Sequence, residues 1–354
     1  MMTCSAPIAI APARVWRSYR GGSLIGQIHR KEEQDGHYPE EWLMSVIEAH
    51  NPKEVTTPGE GLSMLLDGSM SLQDAILMDP ERMMGAGRTS PGVLMKILDA
   101  AERLSVQVHP TKEMAQALFH SSYGKTECWH IIDCRWNNRE RPYIYFGFRP
   151  GISRTIWEDL FKRQDIAGML RCLHKIDVTP GETYLIEGGM PHAIGAGCLI
   201  AEIQEPTDLT LRVERVSASG KYLPDENCHQ GVGFERMLDC FCYNGISKDE
   251  LLRRWRIPPV QIGKEAGSEI VSLVDDRCTV LFSMEKLYIY EEALVFPRKR
   301  FHGLYVLSGD GLCICNGNEE EIKAGSQYFV PAACEAYTLR ANTSPMVILR
   351  WYGP

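Results

Sequence analysis

The chain has 354 residues, 44% of them hydrophobic and 24% charged, with a formal net charge of −8. That length is ample for one or two buried cores, and the acidic balance excludes the basic footprint that nucleic-acid binding requires. No apolar run approaches the length of a bilayer span, so neither nucleic acid nor membrane is an expected partner.

The segment Ala6 to Ala13 is apolar but short, lacks a basic leader and is interrupted by prolines, which argues against a secretion signal. Residues 1–90 mix short apolar runs with Gly, Pro and polar residues, as in an extended β segment with long loops. Leu94-Met95-Lys96-Ile97-Leu98 and Leu104-Ser105-Val106-Gln107-Val108-His109 then read as strands, the second with period-two alternation. A short helix is expected from Thr111 after Pro110, with Met114, Ala117 and Leu118 on one face. Residues 151–175 read as a helical insertion, with Thr155-Ile156-Trp157-Glu158 as a capping box and Ile156, Leu160 and Phe161 as its apolar stripe. Ser247-Lys248-Asp249-Glu250 opens another short helix.

Strand character resumes at Val178 and dominates the last eighty residues: Lys286 to Tyr290, His302 to Leu307, Gly311 to Cys315, Gln327 to Val330 and Met346 to Trp351. Ser308-Gly309-Asp310-Gly311 reads as a hairpin turn. Twelve cysteines are present, none as C-x-x-C. Cys240/Cys242 and Cys313/Cys315 are spaced as neighbours on one strand face. Scattered cysteines in a chain of this size are expected as small buried hydrophobes rather than a disulfide scaffold, and the cytoplasm is the expected compartment. Many short strands with regular turns predict barrels or jelly rolls. No G-x-G-x-x-G turn or phosphate-binding loop supports a doubly wound alternative.

Three segments carry the chemistry. Ser105, Gln107 and His109 alternate on one strand face, opposite Val106 and Val108, and polar groups on an inward face are costly unless satisfied. In Gly124-Lys125-Thr126-Glu127 the lysine and glutamate project together. Gly181 to His192 runs as a strand into a Gly-Gly turn and delivers a histidine after a proline. Each residue alone has an ordinary explanation: His192 a strand-end histidine, Gln107 a satisfied core amide, Glu127 a salt-bridged carboxylate, Lys125 a solvated cation. Together, two imidazoles, a carboxylate and an amide become available to one cation. That donor set suits Zn²⁺ in a site left open to water or substrate.

These blocks resemble the signatures of the type I phosphomannose isomerases. The residues concerned are Leu104 to Pro110, Gly124 to Trp129, and Pro191-His192-Ala193-Ile194-Gly195, followed by Glu202-Ile203-Gln204 and Asp208 to Val213. The likeness to the short bacterial form is clear from Val93 to Val213 and fainter to the C-terminus. It implies one zinc ion per chain held by Gln107, His109, Glu127 and His192, with Lys125 and Arg212 as catalytic cations. It also implies Ser105 and Lys96 at the sugar phosphate. Glu202 is a candidate base, or alternatively an ion-pair partner of Arg212, and Asp208 supports Arg212 or a turn.

The expected fold is mainly β: two cupin-like jelly-roll barrels with a few short helices, the metal-binding unit spanning residues 1–245 and a second unit 246–354. A cupin's second motif has the form G-x5-P-x-G-x2-H. Gly181 to His192 follows that spacing, with Glu187 at the proline position, and Gly325 to Ala336 follows it again with alanine in the histidine's place. The second barrel is therefore expected to lack metal. Two blocks depart from the family. Tyr19-Arg20-Gly21-Gly22 stands where Trp-Gly-Gly is usual. Pro39-Glu40-Glu41-Trp42-Leu43-Met44-Ser45 only partly matches Gly-Glu-x-Trp-Glu-x-Ser.

The activity implied is interconversion of mannose 6-phosphate and fructose 6-phosphate through a cis-enediol, by a monomer or homodimer. The alternatives are an isomerase or epimerase of another sugar phosphate, a non-catalytic sugar-binding cupin, and an iron-dependent oxygen-using cupin. An iron cupin would use more histidines and fewer pocket cations.

Overall fold

All seven residues of the strand Leu94–Ala100 are buried, because a strand covered on both faces reads as a near-continuous apolar run. A computed structural model describes residues 4–52, 54–136, 140–297 and 299–354. Leu94–Ala100 lies in a seven-stranded antiparallel sheet, ordered Arg256–Ile257, Thr183–Ile186, Glu127–Cys134, Cys198–Gln204, Leu94–Ala100, Glu40–Leu43 and Ala13–Val15. One face packs on a five-stranded sheet of Leu211–Arg212, Gln107–Val108, His192–Ile194, Tyr143–Phe148 and Leu173–Asp177. Leu98, Trp129, Ile131 and Ile200 meet Ile144, Phe146, Ile176 and Ile194 between them.

The later part of the chain repeats the scheme. A second seven-stranded sheet, which includes Ser268–Val274, Ser283–Ile289, His302–Ser308, Gln327–Val330 and Met346–Tyr352, packs on a four-stranded one. The outer faces of the two large sheets then cover each other. Met95, Ile97, Cys128 and Ala201 on one side share a core with Met284, Tyr305, Phe329 and Trp351 on the other. The architecture is mainly antiparallel β with short helices. The two halves exchange strands, since Ile8–Ile10 pairs with Gln327–Val330 and Arg256–Ile257 pairs with Thr183–Ile186. Among the described residues, no helix is long and apolar enough to cross a membrane.

Several local expectations change. The capping residue of the helix Arg154–Arg163 is Ser153, whose hydroxyl accepts from Ile156 N at 3.3 Å. The helix therefore begins before Thr155, and its buried side chains are Trp157 and Phe161 while Ile156 is exposed. Ser153→Ala is expected to cost about 1 kcal/mol in a denaturant titration and Thr155→Ala close to nothing. Equal costs would refute this N-terminus. In the helix Lys112–Phe119, capped by Thr111, Ala115 is buried and Ala117 exposed. The expected strand Leu104–His109 pairs only at Gln107–Val108.

Helices Ser23–Ile28, Leu72–Met78 and Pro80–Met84 interrupt the N-terminal region. Gly309 is a corner rather than a hairpin, because His302–Ser308 and Asp310–Cys315 belong to different sheets. Its φ is +85°, and a Cβ there would sit 2.8 Å from Met346 Cα. The hairpin lies one strand later at Asn316-Gly317, both with positive φ (52° and 78°) as a type I′ turn requires. All twelve cysteines are free. Cys313 and Cys315 are buried, whereas Cys240 is buried and Cys242 exposed, neither of the latter in a strand.

Candidate metal centre and active-site cleft

Strand register brings the site together. In the five-stranded sheet, Gln107 pairs with His192 on one side and Arg212 on the other. Directly opposed residues of antiparallel strands point to one face, so Arg212, Gln107 and His192 form a row. In the facing sheet Glu202 pairs with both Lys96 and Trp129, and Lys96 pairs with Trp42. Glu127 lies two residues before Trp129 and hence on the same face.

Between the rows, one donor atom from each of His109, Glu127 and His192 falls within 4.8 Å of the others, all three residues being buried. His109 Nε2 lies 3.2 Å from His192 Nε2 and 3.0 Å from Glu127 Oε1. Each imidazole donates its Nδ1–H to a backbone carbonyl at 2.8 Å, His109 to Leu209 and His192 to Met190. A carbonyl can only accept, so the Nδ1 tautomer is set and the Nε2 lone pairs face the cluster. Burial lowers both imidazolium pKa values, that of His109 to about 3, which keeps the rings neutral near pH 7. Burial opposes ionisation of Glu127, yet the Lys125 ammonium, 3.0 Å from Oε1, holds it well below its ordinary value. Two neutral imidazoles and an ionised carboxylate are a donor set that fits Zn²⁺. The Gln107 amide nitrogen is 3.2 Å from His192 Nε2, which places the carboxamide beside the same three donors. Among the described residues, no other trio of His, Cys, Asp or Glu converges in this way.

The cluster lies at one wall of a cleft, whose lining includes Gln107, Glu127, Ser105, Lys96, Lys125, Glu202 and Arg212. Lys125 also reaches Thr210 Oγ1 at 3.3 Å. Arg212 donates to the carbonyls of Thr210 and Asn227 and has no carboxylate partner among the described residues. Glu202 pairs with Lys96 at 3.2 Å rather than with Arg212, and its Oε2 accepts from Trp129 Nε1 at 3.0 Å. Burial and the nearby Glu127 charge push Glu202 up to about 7. Asp208 pairs with Arg17 at 3.3 Å and accepts from His50 N, so its contact is with Arg17 and not Arg212.

That pair brings in Arg17, a cleft residue not singled out from the sequence. Arg17 Nε is 3.1 Å from Glu40 Oε2, and Glu40 also accepts from Tyr19 OH and Trp42 Nε1, both at 2.7 Å. The two blocks that depart from the family pattern thus meet each other here. Arg17 and Asp208 are 191 positions apart, and no spacing rule connects them. The glycines beside them serve the backbone: a Cβ at Gly21 would lie 1.8 Å from Asp99 O.

Residues 30–126 match the family model for the phosphomannose isomerase type I catalytic domain. The probable mannose-6-phosphate isomerase GmuF of Bacillus subtilis is 28% identical over 298 residues, covering 83% of this chain and 87% of that one. YvyI of the same organism, provisionally named a mannose-6-phosphate isomerase, is 35% identical over 260 residues, covering 72% and 73%. The crystal structure of a mannose 6-phosphate isomerase from Bacillus subtilis superposes with a TM-score of 0.76 at 23% identity, covering 98% and 99%. A mannose 6-phosphate isomerase bound with zinc and yttrium superposes at 0.69 and 15% identity, covering 98% and 99%. At those identities the structures show a shared fold. The sequence relatives carry the assignment further: the chain belongs to the type I phosphomannose isomerase family.

Proposed function

We propose that this protein is a zinc-dependent aldose–ketose isomerase that interconverts mannose 6-phosphate and fructose 6-phosphate. The observation that carries the reading is the buried His109–Glu127–His192 cluster opening on a cleft that holds Lys125 and Arg212. The finer picture is one zinc per chain, held by those three residues and the Gln107 oxygen, in the first of two jelly-roll units divided near residue 245. A zinc ion held by these residues would supply positive charge to polarise a sugar oxygen.

The chain's own groups do the rest. Transfer of a proton between C1 and C2 through a cis-enediol needs a base, charge stabilisation and a phosphate anchor. Glu202 is the proposed base: of the carboxylates lining the cleft it is neither among the proposed ligands nor taken up by Arg17. Lys96, 3.2 Å from it, favours its ionised form. Lys125 and Arg212 stabilise negative charge developing on the enediol oxygens. Ser105 and the basic side chains of the cleft would hold the phosphate through charge-assisted hydrogen bonds.

A coupled assay from mannose 6-phosphate to fructose 6-phosphate tests this. Activity is expected to disappear on chelation and return with zinc. Absence of turnover by folded, zinc-loaded protein would reject this substrate, and the Arg17–Glu40–Asp208 region would direct the search to other sugar phosphates.

A further inference from the structure

A second cavity lies in the seam between the two large sheets, away from the cleft. Its volume is about 290 Å³. One wall is His130, on the outer face of the strand that carries Glu127. The other comes from the second large sheet, with Glu269 and Val271 on one strand and Lys286 and Tyr288 on the next. The register pairs Val271 with Lys286 and Glu269 with Tyr288, so these four side chains share the face turned to the seam.

Two basic groups line the cavity, and among the described residues neither is paired with the Glu269 carboxylate that lines it too. His130 is 1% exposed; its Nδ1 bonds Thr183 Oγ1 at 2.9 Å, while Nε2 has no partner. A buried polar atom left unpaired is destabilising unless something binds it. The Lys286 ammonium makes no hydrogen bond or ion pair among the described residues, and burial alone lowers its pKa to about 8. Burial, then the charge of Lys286, hold His130 well below its ordinary value. The seam of a sandwich core is ordinarily filled by apolar side chains, as it is elsewhere along this one. Here a half-buried amine lines a cavity that opens to solvent at Gly181, Pro259 and Tyr290, beside an imidazole nitrogen with no partner, and together they offer an anion two donors.

We propose that this seam cavity is a second binding site, which takes a small phosphorylated sugar with its phosphate against Lys286 and His130. An anion would satisfy the His130 nitrogen and neutralise the amine. The Glu269 carboxylate and the Tyr288 and Tyr290 hydroxyls, which line the same cavity, would accept from and donate to sugar hydroxyls. The ester and inorganic phosphate share the anionic feature, and competition between them separates the two. The proposal stands apart from the isomerase reading, because none of these residues lines the cleft.

The test uses the full-length zinc-loaded protein and pyridoxal 5′-phosphate, an aldehyde phosphate that condenses with an amine near an anion site to an imine plus water. Borohydride then reduces the imine, and the labelled lysines are located by peptide mass spectrometry. Lys286 is expected to be labelled, and mannose 6-phosphate to protect it at about tenfold lower concentration than inorganic phosphate does. Equal protection by both would overturn the sugar part of the proposal. An unlabelled Lys286, or a label that neither anion protects, would overturn the site. His130→Asn, whose amide can replace Nδ1 as the partner of Thr183 but places nothing at Nε2, is expected to raise the protecting concentration about tenfold. Should that variant misfold, Lys286→Met keeps the aliphatic stem, and calorimetry with mannose 6-phosphate should then read one binding event fewer than wild type. Turnover in Lys286→Met is expected to stay within about twofold of wild type, so loss of the seam site and failure of the isomerase reading give different results.

Discussion

His192→Ala is expected to yield a folded protein that loses its zinc and at least about 10³-fold of its kcat/KM with mannose 6-phosphate. The expectation rests on how the side chain is held. His192 is wholly buried, its Nδ1–H is fixed by Met190 O, and its Nε2 faces His109 and Gln107 at 3.2 Å each. Removing it takes away one of two imidazoles in the donor set, and neighbouring side chains cannot supply another. The methyl group also leaves a void and an unpaired Met190 carbonyl, a cost of about 1–3 kcal/mol. Metal content by emission spectroscopy, read beside the rate, decides the matter. A variant that keeps wild-type zinc and wild-type turnover would remove His192 from the ligand set.

The second large effect concerns stability. Arg17→Met is expected to destabilise the protein by about 3–5 kcal/mol, because it leaves buried charges without their partner. Arg17 bridges Glu40 at 3.1 Å and Asp208 at 3.3 Å, and all three are about nine-tenths buried or more. Methionine matches much of the volume, so the loss reports charge rather than packing. The sign with pH follows from Glu40. Burial raises it, but Arg17 and then Lys96 outweigh burial and bring it down to about 2 in the fold. A folded pKa below the unfolded one adds stability that is complete above the unfolded value, about 4.3, and is lost as pH falls through the folded value. Wild type should therefore lose stability between about pH 4.3 and about pH 2. Arg17→Met should show a smaller loss across that window. Urea midpoints for both proteins at pH 7, 4 and 3 provide the check. An unchanged midpoint at pH 7 would mean that solvent or a shifted Lys96 already screens the two carboxylates.

Much of the candidate site was legible because its residues sit close together in sequence. Period-two spacing in Ser105-Val106-Gln107-Val108-His109 is a local property, and so is the inward face it implies. Val106 and Val108 are fully buried against Trp157 and Leu211, while Gln107 looks into the cleft. Lys125 and Glu127 are two residues apart and do meet, at 3.0 Å. The glycine-led turns before Thr183–Ile186 and Gln327–Val330 both begin at positive φ, Gly181 at +96° and Gly325 at +86°. Helix starts were legible where a cap was unambiguous, as at Thr111 and Ser247. They were misplaced where two hydroxyl residues competed, as Ser153 did with Thr155.

By itself, then, the sequence determined the class of fold, the inward-facing residues and the kinds of donor available to a cation, all consequences of side-chain chemistry at short spacing. Only the tertiary structure decided which partners those residues meet. Antiparallel register set Glu202 beside Lys96 and Trp129 rather than Arg212. Closure of the chain over 191 positions set Asp208 on Arg17, and the packing of one large sheet on the other brought Lys286 and His130 into the lining of one cavity. The physical reason is that backbone geometry links residues two or four apart, whereas pairings between distant strands depend on how every hydrophobic face in the molecule is covered at once.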